Sequence, residues 1–300
     1  KEDIVITISN NGYIKRTFLG NYRSQNRGGK GKTGMSTREE DFVKEIHLAN
    51  THSKLLVFSS FGKVYSIRSY DIPETSLKAR GKPIVNLLPF SQDEKIATFL
   101  PLPIQEKEWK NKLIVFSTRN GMIRKNKLID VAKSGKRDLR GSGKLSIKLN
   151  NNDELIGVEL TNNEEDILLS TSNGKCLRFP VSSLRLFSGL NSGGVKGIQL
   201  EGNNFVISLS VLLHSFIDMS IRQEYLKYSS DNRKNITNNK RHDFTQLDKN
   251  EEFLLSVTTK GYGKRSSAYE YRISTRGRKG ITGILTTPKN GKVIDCFVVK

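Results

Sequence analysis

Five segments of the chain share one form, and a repeat of this length constrains the fold more tightly than composition does. Each opens with a short apolar strand, turns at a glycine, and continues into a second strand with a basic residue soon after the turn. They are Ile4-Val5-Ile6-Thr7-Ile8 with Asn11-Gly12-Tyr13; Leu55-Leu56-Val57-Phe58 with Phe61-Gly62-Lys63; Leu113-Ile114-Val115-Phe116 with Asn120-Gly121-Met122; Ile167-Leu168-Leu169 with Asn173-Gly174-Lys175; and Phe253-Leu254-Leu255 with Lys260-Gly261-Tyr262. The turn glycines fall 50, 59 and 53 residues apart, and the last interval is 87. A second glycine follows each first one, at Gly31, Gly81, Gly143, Gly197 and Gly280, at offsets of 19, 19, 22, 23 and 19 residues.

After the second glycine comes another apolar stretch, such as Ile84-Val85-Asn86-Leu87-Leu88 or Gly197-Ile198-Gln199-Leu200, then an acidic turn and a fourth strand such as Glu154-Leu155-Ile156-Gly157-Val158. Four short strands per fifty residues, rich in β-branched residues and glycine turns, predict an all-β chain of propeller-like blades. The alternative is a run of hairpins in two packed sheets, which would not need the glycines and cations to recur in phase. The blades are expected at about 1–52, 53–110, 111–164, 165–210 and 251–300, in a single domain. The long last interval places an insertion at 211–250, where Ser229-Ser230-Asp231-Asn232-Arg233-Lys234-Asn235 and Asn238-Asn239-Lys240-Arg241-His242 are too polar to offset their ordering entropy. A short helix is expected over residues 216–226, and a mobile tract after it. Residues 105–112, with the lone Trp109, read as a lengthened loop.

Lysine and arginine outnumber acids 50 to 30, a net charge of +20, which favours a polyanion as partner. The two cysteines, Cys176 and Cys296, are far apart and form no C-x-x-C, so neither a disulfide framework nor a cysteine zinc site is expected. His47, His52, His214 and His242 lack metal-ligand spacing. The longest apolar stretch, 205–221, is broken by Ser208, Ser210, His214, Ser215, Asp218 and Ser220, so no membrane span is expected. With no signal-peptide pattern at Lys1-Glu2-Asp3, the chain is expected to be cytoplasmic and part of something longer.

The densest glycine cluster is Gln25-Asn26-Arg27-Gly28-Gly29-Lys30-Gly31, followed by Lys32-Thr33-Gly34. Bare amides and fixed positive charge together suit a phosphate-bearing partner. Gly31-Lys32-Thr33 imitates the end of a nucleotide-binding P-loop, but that motif needs a glycine where Asn26 stands, and no helix pattern follows. Acidic runs such as Glu39-Glu40-Asp41 and Glu164-Glu165-Asp166 lie in turns, and no nucleophile, base and acid group together, so no catalytic residue is expected here. The cations do recur in phase. Lys63, Arg80, Lys82, Arg124, Arg140, Lys175, Arg178, Lys196, Lys264, Arg265, Arg278 and Lys279, with Lys32 beside the glycine cluster and others including Lys15, Arg16 and Lys125, predict a positive rim that tracks a DNA backbone through its phosphates. A propeller serving as a protein-interaction scaffold is the alternative, its charge then incidental.

At these residues the sequence resembles the C-terminal domain of the bacterial DNA gyrase A protein. The signature box of that family is Gln-Arg-Arg-Gly-Gly-Lys-Gly, and residues 25–31 match it in six of seven places, departing at Asn26. Glu40-Asp41-Phe42, Ala49-Asn50-Thr51-His52, Ala79-Arg80-Gly81-Lys82-Pro83-Ile84-Val85-Asn86-Leu87-Leu88-Pro89 and Gly261-Tyr262-Gly263-Lys264-Arg265 have the same family character. The sister family, the C-terminal domain of the corresponding topoisomerase IV protein, typically has a degenerate box. The resemblance implies a β-pinwheel, a disc whose blades exchange strands, five visible of an expected six. It implies double-stranded DNA as partner, wrapped around the rim so that an ATP-dependent enzyme introduces negative supercoils. It further implies a monomeric domain within an assembly with the rest of gyrase A and with gyrase B, carrying no cofactor of its own. ATP and Mg belong to other domains.

Overall fold

The computed structural model describes residues 1–22, 35, 41–132, 143–215, 217–233 and 243–299. The chain divides into two compact units. One comprises residues 1–111, 128–149 and 190–192; the other comprises 112–127, 150–189 and 193–300. The first holds two four-stranded antiparallel sheets, in the orders Val43–Asn50, Asp3–Ser9, Tyr13–Phe18, Lys82–Pro83 and Lys144–Leu145, Lys63–Arg68, Lys54–Ser59, Ile96–Pro101. The second holds three. Blade three orders Leu155–Thr161, Leu113–Thr118 and Met122–Lys127, with Val195–Lys196 and Leu186–Phe187 both on its last strand. Blade four orders Val206–Leu213, Glu165–Thr171, Lys175–Pro180 and Ile281–Thr282, and blade five orders Gly263–Ser267, Phe253–Thr258 and Val293–Val299.

Every blade is built on the same hairpin, and its local chemistry explains why. The turn glycines Gly12, Gly62, Gly121, Gly174 and Gly261 all have φ between +75° and +83°, where a β-carbon is strained. Three residues earlier stands Ser9, Ser59, Thr118, Thr171 or Thr258. In the first hairpin the Gly12 N–H donates to the Ser9 carbonyl at 3.0 Å and the Tyr13 N–H donates to Ser9 Oγ at 3.1 Å; the other four repeat both bonds. This is a turn closed by a left-handed glycine and locked by a hydroxyl. The sequence reading found the glycines and missed the hydroxyls, although the spacing Ser/Thr-x-x-Gly is visible in all five.

In repeats two to five the third strand differs from the sequence expectation. It is only two residues long and lies on the sheet of the preceding blade. Lys82–Pro83 joins blade one, Lys144–Leu145 blade two, Val195–Lys196 blade three and Ile281–Thr282 blade four. Ile84–Asn86 is a 3-10 turn rather than a strand. The arm is held by the turn glycine, whose carbonyl accepts the N–H of Ile84, Ser146, Gly197 or Gly283 at 2.8–2.9 Å. Arm exchange between blades of one four-stranded pattern makes this a β-pinwheel. It also corrects the phase of the repeat: Gly194, not Gly197, is the glycine before the third arm, with φ +87° like Gly81.

Within 211–250, the described residues 211–215, 217–233 and 243–250 are more ordered than their composition predicts. Residues 211–213 complete the strand Val206–Leu213, and helices span Met219–Arg233 and Thr245–Asn250. Tyr225, Tyr228 and Phe244 pack on Tyr269 of blade five, with Tyr225 meeting the Phe244 and Tyr269 rings edge-on at 5.4 Å. Four aromatic rings supply the buried area that an asparagine-rich tract lacks. Residues 234–242 lie outside the described residues. The 105–112 loop contains the 3-10 helix Glu106–Asn111, which buries Trp109. Among the described residues no helix is long and apolar enough to cross a membrane.

Candidate nucleic-acid interface

The phased cations separate into two groups by the side of the strand they occupy. The fourth residue after the turn glycine is Arg16, Lys125 or Arg178 in blades one, three and four. Each donates to a backbone carbonyl of the next blade's turn: Arg16 Nε to Ile72 at 2.8 Å, Lys125 Nζ to Val181 at 2.9 Å, and an Arg178 terminal nitrogen to Ala268 at 2.8 Å. They are clamps between blades. The residue before them is Lys15 or Arg124 in blades one and three, both fully buried. Lys15 Nζ donates to the Ser76 and Leu77 carbonyls, and Arg124 Nε donates to Asn126 Oδ1 at 2.8 Å with its guanidinium over the Phe116 ring. Burial lowers the pKa of both, Arg124 to about 10.

Four expected rim residues are therefore corrected, Lys15 and Lys125 together with Arg124 and Arg178. All four face inward and do not reach a DNA backbone. Arg178 is 3% exposed; its Nε pairs with buried Asp166 at 2.8 Å and its remaining nitrogens cap the Ala268 and Leu213 carbonyls. A charge this deep is stable only because each of its donors is matched. Alternation along the strand could not have signalled it, since residues 123–126 of Met122–Lys127 are all buried.

The remaining candidates do stay on the surface. Lys82, Lys196, Lys264, Arg265, Arg278 and Lys279 are exposed, while Lys63, Arg80 and Lys175 are half-buried. Lys82 and Lys196 lie on exchanged arms. Arg80 is fixed over the Tyr13 ring at 4.7 Å and Arg265 over Phe253 at 3.6 Å. Lys63 approaches Glu94 at 3.9 Å, Lys175 Nζ donates to Thr282 Oγ1, and Lys279 pairs with Glu201 at 2.9 Å. Two further guanidiniums are stacked: Arg119, which sequence reasoning missed, over Phe205 at 3.5 Å, and Arg185, one of the phased cations, over Phe187 at 4.1 Å. Such stacking holds a guanidinium in place while leaving its edge to meet a phosphate. The glycine cluster Gln25, Asn26, Arg27, Gly28, Gly29, Lys30 and Gly31, with Lys32 and Arg140, lies outside the described residues. Among the described residues no cluster of acids, histidines and cysteines could hold a metal.

Comparison with known proteins decides the family. The sequence profile described as DNA gyrase C-terminal domain, beta-propeller, matches residues 3–50, 53–103, 137–162, 165–212 and 252–300. The chain belongs to this gyrase C-terminal domain family. The segments of the match that start at 53, 165 and 252 begin at or next to the first strand of a blade, and the gap at 213–251 takes in both helices of the insertion. The DNA gyrase A protein of Rickettsia bellii (strain RML369-C) is 39% identical over 312 residues, covering all of this chain and 34% of that protein. The chain thus spans about a third of the length of such relatives. A solved structure of a DNA gyrase A C-terminal domain superposes with a TM-score of 0.69 at 22% identity, covering all of this chain and 83% of that one. The C-terminal domain of a DNA topoisomerase IV superposes at 0.68 and 23%, covering all of this chain and 78% of its own. At these identities both share the fold.

Proposed function

We propose that this gyrase-family domain binds duplex DNA without sequence preference and bends it along its exposed cations, as the DNA-wrapping part of a DNA gyrase A protein. The observation that carries the reading is the set of solvent-facing cations on the arms and hairpins of blades one, three and five, at Lys82, Lys196, Lys264 and Arg265, and in the loop at Arg278 and Lys279, once the buried clamps are set aside. Contacts of this kind are to phosphates, which position a duplex without reading its bases. Bending a duplex by 40–90° over 20–30 base pairs costs on the order of 1–6 kcal/mol, so a wrap needs contacts spread along it and a fastening at its end. The glycine-rich box at 25–31 is suited to that fastening by its cations and bare amides.

In this reading the domain contributes no catalytic residue. It works in a bacterial cytoplasmic type II topoisomerase assembled from gyrase A and gyrase B, whose ATP and Mg sites lie on other domains, and the wrap orients strand passage toward negative supercoils. The test is a holoenzyme in which residues 25–31 are replaced by alanines. The domain is expected to fold and to keep much of its general DNA affinity, while ATP-dependent negative supercoiling is lost. Supercoiling at the unmodified rate would overturn the assignment of the box. A protein-interaction scaffold would instead show no gain in affinity as the duplex is lengthened.

A further inference from the structure

The second unit contains a cationic cleft that shares Arg278 and Lys279 with the proposed DNA track and adds Arg272 and Arg222 to them. It encloses about 570 Å³ between the strand Lys175–Pro180 and the loop leading to the arm Ile281–Thr282, and Arg178, Arg272, Ser274, Thr275, Arg278 and Lys279 line it. A smaller cavity of about 210 Å³ shares Arg178, Arg272 and Ile273 with it and adds Arg222 from the inserted helix, with Met219, Tyr269 and Tyr271 as apolar walls. Neither cavity has a carboxylate in its lining.

The cleft exists because of one residue. In blade one the matching loop is filled from beneath by Lys15, whose ammonium binds the Ser76 and Leu77 carbonyls. Blade three has Arg124 at that position. Blade four has Leu177, which turns into the apolar core with Leu169 and Phe179 and leaves the loop at 272–279 with no cation under it. Of the cations around the space, Arg178 is fully engaged by Asp166 and two carbonyls. Arg278 uses only Nε, on Thr275 Oγ1 at 3.2 Å, and Lys279 has only a solvent-exposed pair with Glu201. Arg272 and Arg222 have no side-chain partner among the described residues. Like charges gathered around a concavity without a carboxylate repel one another until an anion enters.

We propose that this cleft binds a nucleoside polyphosphate. Its phosphates lie against Arg272, Arg278 and Lys279 with the Ser274 and Thr275 hydroxyls, and its base enters the smaller cavity beside Arg222. Guanidiniums match phosphate oxygens two at a time, which suits a clustered polyphosphate. The larger volume is in the range of small-ligand pockets, and the smaller is of a size for one ring system. The inserted helix carries part of the wall, so this site belongs to the insertion rather than to the repeat.

Calorimetric titration of the full-length chain with ATP, GTP and inorganic tripolyphosphate tests the proposal. Saturable binding of a nucleotide is expected, tripolyphosphate binding more weakly because it lacks the base. Arg272→Ala with Arg278→Ala should weaken nucleotide binding at least tenfold, and Arg222→Ala should affect the nucleotides but not tripolyphosphate. Thermal melting of each variant checks that the blade is intact. No saturable binding at millimolar nucleotide, or equal binding by the double variant, overturns the site. Duplex affinity is measured on the same variants. Because Arg278 also belongs to the proposed DNA track, the duplex comparison rests on Arg222→Ala. Loss of duplex binding with no nucleotide binding would assign the cleft to the DNA track and refute the nucleotide proposal, whereas nucleotide binding by the parent chain with duplex affinity unchanged in Arg222→Ala supports it and leaves the wrapping reading standing separately.

Discussion

At the scale of single residues, two cations of the same charge do opposite work because of where the strand aims them. Arg178 commits its donors to Asp166 and to the carbonyls of Ala268 and Leu213, joining blade four to the turn of blade five. Arg178→Ala removes one of two partners of the buried Asp166 carboxylate, leaving His214 Nδ1 at 2.7 Å, and the expected loss is about 3 kcal/mol, read as a lower denaturant midpoint. Lys82→Ala and Arg265→Ala remove exposed charge and are expected to change stability by no more than about 0.5 kcal/mol. DNA affinity is expected to respond in the reverse order, provided Arg178→Ala is measured where it remains folded. A stable Arg178→Ala protein with weakened DNA binding would put Arg178 back on the interface. Their shared phase was legible in the sequence; their direction was not, since it depends on carbonyls about ninety residues away in the chain.

At the scale of the element, the hairpin and its arm form the unit of construction. The glycine both makes the left-handed turn and offers its carbonyl to the arm, so its substitution tests whether the two roles coincide. A β-carbon on Gly174 would lie 2.1 Å from the Ile284 carbonyl oxygen, whereas one on Gly261, at the same φ of +78°, meets nothing within 4 Å. Gly261→Ala is expected to cost about 1–2 kcal/mol for the backbone alone. Gly174→Ala is expected to cost more and to release the arm Ile281–Thr282, seen as faster amide exchange at Gly283 and Ile284. Equal losses would mean that the arm adds nothing to blade four. The hairpins were legible because their signals are local, a hydroxyl, a glycine and apolar alternation within about fifteen residues. The arms were not, because two residues carry too little pattern to reveal which sheet they join. The insertion misled for a related reason: its polar composition is real, but Tyr225, Tyr228 and Phe244 find their fourth ring, Tyr269, outside the tract.

At the scale of the whole molecule, the net charge of +20 sets how binding responds to ionic strength. Affinity for duplex DNA is expected to fall linearly with salt on logarithmic axes, by about 0.9 for each phosphate neutralised. Replacing Lys82, Lys196, Arg265 and Lys279 together should reduce that slope by about four, one for each phosphate no longer neutralised, with no change of sequence preference. Filter-binding or anisotropy titrations across a salt series measure it. An unchanged slope in the fourfold variant would remove these residues from the track.

The sequence by itself determined the period, the all-β blade, the turn positions and the excess of positive charge, because each is written in contiguous residues and enforced by backbone geometry or by simple count. Only the tertiary structure decided which blade each arm completes, which cations are clamps and which face solvent. It also brought Cys176 and Cys296 as buried free thiols into the core shared by blades four and five, where Cys176 Sγ donates to Ser170 Oγ and Cys296 Sγ accepts from Ser256 Oγ. The physical reason is common to all three. A buried charge or polar group is tolerated only where matching partners meet it, and the partners that join one blade to the next, at Ile72, Val181 and Ala268, lie 56 to 90 residues away, where no local pattern records the meeting.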